Sequence, residues 1–202
     1  MRVVRALLDG VEHAGVPCAQ VVQAARLDPS WLSDLDRRIE RADVYLLCEA
    51  ALDATGDPAF GLHWAERFPD SAFSPISQLV LQSPNIAHAL ESLSQFHWLL
   101  CDDINFRVHE QDGHVQVQAS RLSGASTRIQ RLVHETVMIG LLRMLRAYRG
   151  EARIDYVTFD YPAPAYAAEY LRIFGSNVRF NQRTTGLSFP QSLLIRADQV
   201  IG

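Results

Sequence analysis

The apolar positions of the first hundred residues recur at the helical period. Val3, Val4, Leu7, Leu8 and Val11 fall on one face, and Gly15-Val16-Pro17 breaks the run. A short helix over Ala19–Ala25 follows. Asp28-Pro29-Ser30 opens another, because Asp28 is suited to cap free N–H groups and Pro29 suits a first turn. Ala42–Ala54 is amphipathic and ends in Thr55-Gly56-Asp57-Pro58, where glycine takes a left-handed cap and proline cannot continue the helix. Phe60–Phe68 and Ser74–Gln82 read as helices bounded by Pro58, Pro69 and Pro84. In Asn85–Leu100, Ile86, Leu90, Leu93, Phe96 and Leu100 line one face.

The period then shortens to two. Ile104, Phe106 and Val108 alternate with polar residues, as do Val115, Val117 and Ala119, and Asp112-Gly113 between them is a tight-turn pair. This predicts an antiparallel hairpin with one apolar face. A long helix follows over Ser126–Tyr148. Its middle, Val137–Leu142, is apolar nearly all round and must be covered on several sides. Val157 and Phe159 mark a third strand, Ala165–Phe174 a helix stopped by Gly175, and Val178–Phe180 and Leu187–Phe189 two short strands. Gln191–Leu194 adds a helical turn. The order of elements predicts an α+β fold: an N-terminal helical lobe over residues 1–70, then a small antiparallel or mixed sheet packed with a long central helix over residues 71–202. The boundary falls in Arg67–Pro75, with one continuous domain as the alternative.

Composition narrows the function classes. The 202 residues carry a net charge of −4 with 48% apolar content, and the isoelectric point is about 5.9. A free-standing nucleic-acid binder usually carries a basic patch, which this balance does not favour. Cys18, Cys48 and Cys101 are odd in number and far apart, so the expectation is reduced thiols rather than disulfides or zinc. The N-terminus carries Asp9 and Glu12 and does not read as a signal peptide, and no apolar run reaches membrane-spanning length. A soluble, cytoplasmic protein without membrane contact is expected.

Catalytic patterns are lacking. There is no GxSxG, no GxGxxG and no phosphate-binding GxxxxGK[ST]. His134-Glu135 lacks a second histidine four residues on, and the other histidines are scattered, so no metal is expected. No cofactor and no enzyme activity are expected. Val16–Leu32 has the size of a helix-turn-helix, but Pro29–Asp34 offers no basic side chain to phosphates. A packing pair of helices is the better reading of that segment.

Ordered stretches along nearly the whole chain resemble one family. They are Gly15-Val16-Pro17, Leu27-Asp28, Leu32, Arg38-Ile39, Glu49-Ala50-Ala51 and Thr55–Leu62, then Ser83–Ile86, Ala89-Leu90, Pro162–Pro164, Tyr170, Phe174-Gly175, Val178–Phe180 and Leu187–Phe189. The set is similar to the "arabinose-binding" N-terminal domain in the branch of AraC-type regulators that includes ornithine-utilisation regulators. Phe73-Ser74-Pro75-Ile76 stands where that family often has a glycine-rich stretch. The resemblance implies a domain that binds a small-molecule effector and dimerises, with a ligand-free dimerisation or protein-interaction domain of the same regulator class as the alternative. It also implies a tandem helix-turn-helix domain after it, so DNA would be met only through a domain beyond Gly202. It does not imply that arabinose binds.

An effector pocket needs apolar walls and a few convergent polar groups. Phe96, Trp98, Tyr156, Phe159 and Tyr161 are candidate walls, and Arg128, Arg131 and His134 share helical spacing that would suit a carboxylate. The alternative is that the aromatics are core and the arginines a solvated face. For a homodimer, Met138, Leu141, Leu142 and Leu145 are the candidate interface, with burial in the domain's own core as the alternative.

Overall fold

The computed structural model describes residues 2–30, 39–67, 79–80, 82–97, 104–149 and 153–194. Four helices come first: α1 (Arg2–His13), α2 (Cys18–Ala24), α3 (Arg41–Thr55) and α4 (Phe60–Arg67). Next are α5 (Ile86–Phe96), the hairpin β1 (Phe106–Gln111) and β2 (His114–Ala119), and the long α6 (Thr127–Arg149). Then β3 (Tyr156–Thr158), α7 (Ala167–Phe174), β4 (Val178–Arg179) and β5 (Thr185–Pro190) lead to a 3-10 turn at Gln191–Leu193. The fold is α+β, as the element order predicts.

Local chemistry places the boundaries. Gly56 closes α3 with φ +60°, a left-handed cap that Thr55 could adopt only with strain. The Asn85 side chain caps α5 by accepting the His88 N–H at 3.0 Å. Asp112 and Gly113 both have positive φ, 52° and 78°, which is the turn that a two-residue hairpin requires. Asp28 Oδ1 accepts the Ser30 N–H at 2.9 Å; the rest of the helix expected there lies outside the described residues, as does most of Ser74–Gln82. The expected boundary at Arg67–Pro75 also lies almost wholly outside them. Within Val16–Leu32, α2 packs on α3 and buries Val21 and Val22, so its described part is a packing element.

The strand order is β1-β2-β5-β3-β4. Only β3 and β4 pair in parallel; the other neighbours are antiparallel. Register puts Val115 opposite Phe189, and Val117 and Val157 opposite Leu187, so these residues share one face. Gln116, Gln118, Tyr156 and Ser188 share the other. Burying the apolar face requires a cover, and α6 supplies it through contact with β5.

Two apolar clusters result. The larger joins the sheet to α5, α6, α7 and the Leu62 and Ala65 side of α4. The smaller joins α1, α2 and α3 to Phe60 and Trp64 of α4 and to Ile129 and Leu132 of α6. Trp64 Nε1 donates to the carbonyl of Ala6 at 2.8 Å and fastens α1 to α4. The four residues expected at a dimer interface, Met138, Leu141, Leu142 and Leu145, all lie inside the larger cluster and are at most 4% exposed. The domain's own elements cover them, and they are not presented to a twin. The reason is the one that made the helix apolar all round: α4, α5, α7 and the sheet approach α6 from several sides.

Candidate functional site

Long helix α6 carries two polar pairs one turn apart, and each pair faces a different neighbour. Arg131 and Glu135 face α7. On α7, Tyr166 at the N-cap and Tyr170 share the same one-turn spacing. Both hydroxyls donate to Glu135 Oε1, Tyr166 at 2.9 Å and Tyr170 by a shorter bond. The Tyr161 hydroxyl lies 3.3 Å from that of Tyr170. Glu135 is 2% exposed. Gly61 of α4 lies over its other oxygen, so closely that a Cβ there would overlap Oε2.

Electrostatics follow from this burial. Loss of water pushes the Glu135 carboxyl up to about 7, although the bonds from Tyr170 and Tyr166 and the charge of Arg131 pull the other way. Burial and the nearby carboxyl push the Tyr166 phenol up to about 12, and push Tyr161 and Tyr170 well above the ordinary phenol value. All three phenols therefore stay protonated donors at neutral pH. The Arg131 guanidinium lies 5.2 Å from the centre of the Tyr161 ring. Its Nε is buried without a hydrogen-bond partner. Behind these groups, Phe159 packs edge-on against Tyr170 at 4.9 Å and tilted against Tyr161 at 5.2 Å.

The rim of the site ties α4 to α7. His63 Nδ1 lies 2.7 Å from Asp57 Oδ2, and its Nε2 lies 3.4 Å from Glu169 Oε2. Burial lowers the affinity of His63 for a proton, and bonds to Asp57 and Glu169 more than restore it, so the ring titrates above its ordinary value. Arg172 donates to Glu169 at 2.7 Å and to both oxygens of Glu66.

The second pair, Gln130 and His134, faces the loop between β2 and α6. The Leu122 N–H donates to Gln130 Oε1 at 2.8 Å, which turns the Gln130 amide N–H toward His134 Nε2. That nitrogen therefore accepts, and the ring proton sits on Nδ1. The Ser120 carbonyl at 3.1 Å from the same nitrogen favours the opposite tautomer; the bond from Leu122 decides. His134 Nδ1 then faces Asp160 Oδ1 at 3.4 Å, close enough for attraction but without hydrogen-bond geometry. Burial raises the Asp160 carboxyl, and His134, Thr185 and Arg121 lower it further, leaving it below its ordinary value. This pair locks the structure from within: His134 is fully buried.

Residues 15–197 match the family described as the arabinose-binding domain of AraC transcription regulators, at the N-terminus. The chain belongs to that family. It is a family of transcription-regulator domains, not of enzymes. This AraC-type domain is similar to the ornithine utilization regulator of Pseudomonas aeruginosa, with 30% identity over 195 residues covering 95% of this chain and 56% of that protein. Its fold is shared with the crystal structure of the transcriptional regulator CdpR from Pseudomonas aeruginosa. The TM-score is 0.65 at 16% identity, over 87% of this chain and 54% of that one. The chain spans a little over half the length of each.

The AraC-type domain brings together only some of the expected site residues. Arg131, Phe159 and Tyr161 meet at the junction of α4, α6 and α7. His134 sits one turn away, turned toward Asp160. Arg128 points to α3 instead, pairing with Glu49 at 3.0 Å and Asp53 at 2.8 Å. Tyr156 lies on the far face of the sheet beneath Arg179, whose guanidinium is 4.1 Å from the ring centre. Phe96 packs at the edge of the larger cluster, and Trp98 lies outside the described residues. Sequence reasoning missed Glu135, Tyr166, Tyr170 and Gly61. The signal was present in two matching four-residue spacings, Arg131 with Glu135 and Tyr166 with Tyr170. Among the described residues no helix is long and apolar enough to cross a membrane, and no three His, Cys, Asp or Glu side chains are grouped to hold a metal ion. The Cys18 thiol is pushed up to about 12 by burial and by Glu12, which makes it a poor nucleophile.

Proposed function

We propose that this chain is the effector-sensing regulatory domain of a bacterial AraC-type transcription regulator. In this reading it acts in the cytoplasm as a homodimer and reaches DNA through a separate helix-turn-helix domain. The observation that carries the reading is the family match, which runs through residues 15–197 rather than through one motif. The similarity to an ornithine utilization regulator supports a metabolite as the signal. The α4, α6 and α7 junction is the proposed place of contact, because charged and phenolic groups converge there against an aromatic wall. An effector controls such a domain only by binding one of its arrangements more tightly than another. Helix α7 is suited to such a change: one side holds a buried carboxyl and the other holds α4 through exposed ion pairs. Dimerisation in this reading uses a surface other than Met138, Leu141, Leu142 and Leu145.

Thermal melting of the chain against ornithine, other amino acids, fatty acids and small organic acids tests the proposal. A compound that raises the melting temperature in a saturable way is the expected result. If none of these classes shifts it, the sensing role fails. Sedimentation at high concentration is expected to show a dimer, and a strict monomer would remove that part of the reading.

A further inference from the structure

We propose that the junction of α4, α6 and α7 takes a small organic carboxylate, gripped by the guanidinium of Arg131. This rests on the effector reading above and specifies its site and ligand class. Three observations point to an anion rather than a cation. First, Arg131 Nε is buried with no hydrogen-bond partner, although it is a charged donor. A carboxylate lying side-on supplies acceptors to Nε and a terminal nitrogen together, the two-point geometry that guanidinium favours. Second, the Tyr161 ring 5.2 Å from the guanidinium fixes the plane of that fork. Third, the carboxyl at the bottom of the site already holds two phenolic donors. Glu135 Oε1 holds the hydroxyls of Tyr166 and Tyr170, and Oε2 lies under Gly61. An incoming carboxylate meets an unpartnered donor in Arg131 Nε. The half-buried ring of Tyr166, stacked on Tyr170, is the apolar surface nearest to it.

Glu135 makes the grip depend on protons. A second carboxylate beside Arg131 is repelled by an ionised Glu135 and tolerated by a protonated one. Burial already holds that carboxyl up to about 7. Binding should therefore draw a proton from solution onto Glu135 and weaken as pH rises. The other titratable groups around Glu135 are Arg131 on α6, Tyr166 and Tyr170 on α7, Tyr161 after β3, and Asp57 and His63 at α4. The phenols stay protonated and Arg131 charged throughout the range, which leaves His63 as the competing source of a pH effect.

Titration calorimetry with benzoate and hexanoate, against benzamide and hexylamine, tests this on the 202-residue chain. Benzoate or hexanoate is expected to bind, with the amide and amine at least tenfold weaker. Arg131→Gln should abolish binding, and Arg131→Lys, which keeps the charge, should still weaken it about tenfold. Affinity should fall about tenfold between pH 6 and pH 8. The slope should vanish in Glu135→Gln and persist in His63→Gln. Equal binding of benzamide or hexylamine, failure of both carboxylates, or undiminished binding by folded Arg131→Lys and Arg131→Gln overturns the inference. A slope lost only in His63→Gln overturns the role of Glu135. If these tests fail while some other metabolite still raises the melting temperature, the sensing role stands and this site assignment falls alone.

Discussion

Gly61 of α4 rests on the carboxyl of Glu135 in α6 with no room for a side chain between them. A Cβ at position 61 would overlap Oε2 and come within 3.1 Å of Leu132 Cδ1. Two helices thus pack tightly where a buried acid lies.

Gly61→Ala should therefore destabilise the fold. Alanine recovers about 1 kcal/mol of helix propensity, but overpacking against buried atoms costs about 1–3 kcal/mol. A net loss of up to about 2 kcal/mol in urea unfolding is expected. Unchanged or raised stability would mean that α4 slides away from α6 at little cost.

Stability should also depend on the proton of Glu135. The folded carboxyl titrates near 7 against an ordinary value of 4.5. Its protonated form favours the fold, so its contribution is complete below about pH 4.5 and is lost as pH rises through 7. The loss is on the order of 3 kcal/mol. His63, raised in the folded state, loses its contribution in the same direction, whereas the lowered Asp160 acts the opposite way at acid pH. The difference between wild type and Glu135→Gln, measured by urea melts from pH 5 to 8, isolates the glutamate. Parallel pH profiles would refute the assignment.

Gln130 joins a backbone N–H to a buried imidazole. Gln130→Ala leaves both the Leu122 N–H and His134 Nε2 without it, at a cost of about 2–4 kcal/mol. Hydrogen exchange at Leu122 should accelerate in step. A mild loss with Leu122 still protected would show that water replaces the amide.

The periodic part of this fold is legible in the sequence because each element there has one decisive signal. Asp112-Gly113 makes the hairpin turn, Gly56 the helix stop, and the alternation of Val115, Val117 and Ala119 the buried sheet face. The site is less legible because it depends on which elements meet. Arg128, Arg131 and His134 share one helix but face three directions, toward Asp53, Tyr161 and Asp160. Helical spacing ranks them alike; only packing separates them. The apolar girth of α6 likewise demands cover without saying whose. Glu135 reads as an ordinary charged helix residue until Gly61, Tyr166 and Tyr170, distant in sequence, are brought around it.

Trp64 fastens the first helix to the rest. Trp64→Phe keeps most of the ring volume and removes the N–H that meets the Ala6 carbonyl. A loss of about 1–3 kcal/mol is expected, with proteolysis beginning in α1. Equal stability would assign the docking of α1 to its apolar side chains alone.

Helix α4 is only eight residues long, yet it lends Phe60 and Trp64 to one apolar cluster and Leu62 and Ala65 to the other. Heat cannot take one cluster apart and leave the other dry. A single calorimetric peak is expected, and a fragment cut within residues 67–75 should not hold its shape alone. The two halves must be inherited as one piece, and an intruder that turns this short helix is felt at both ends of the molecule.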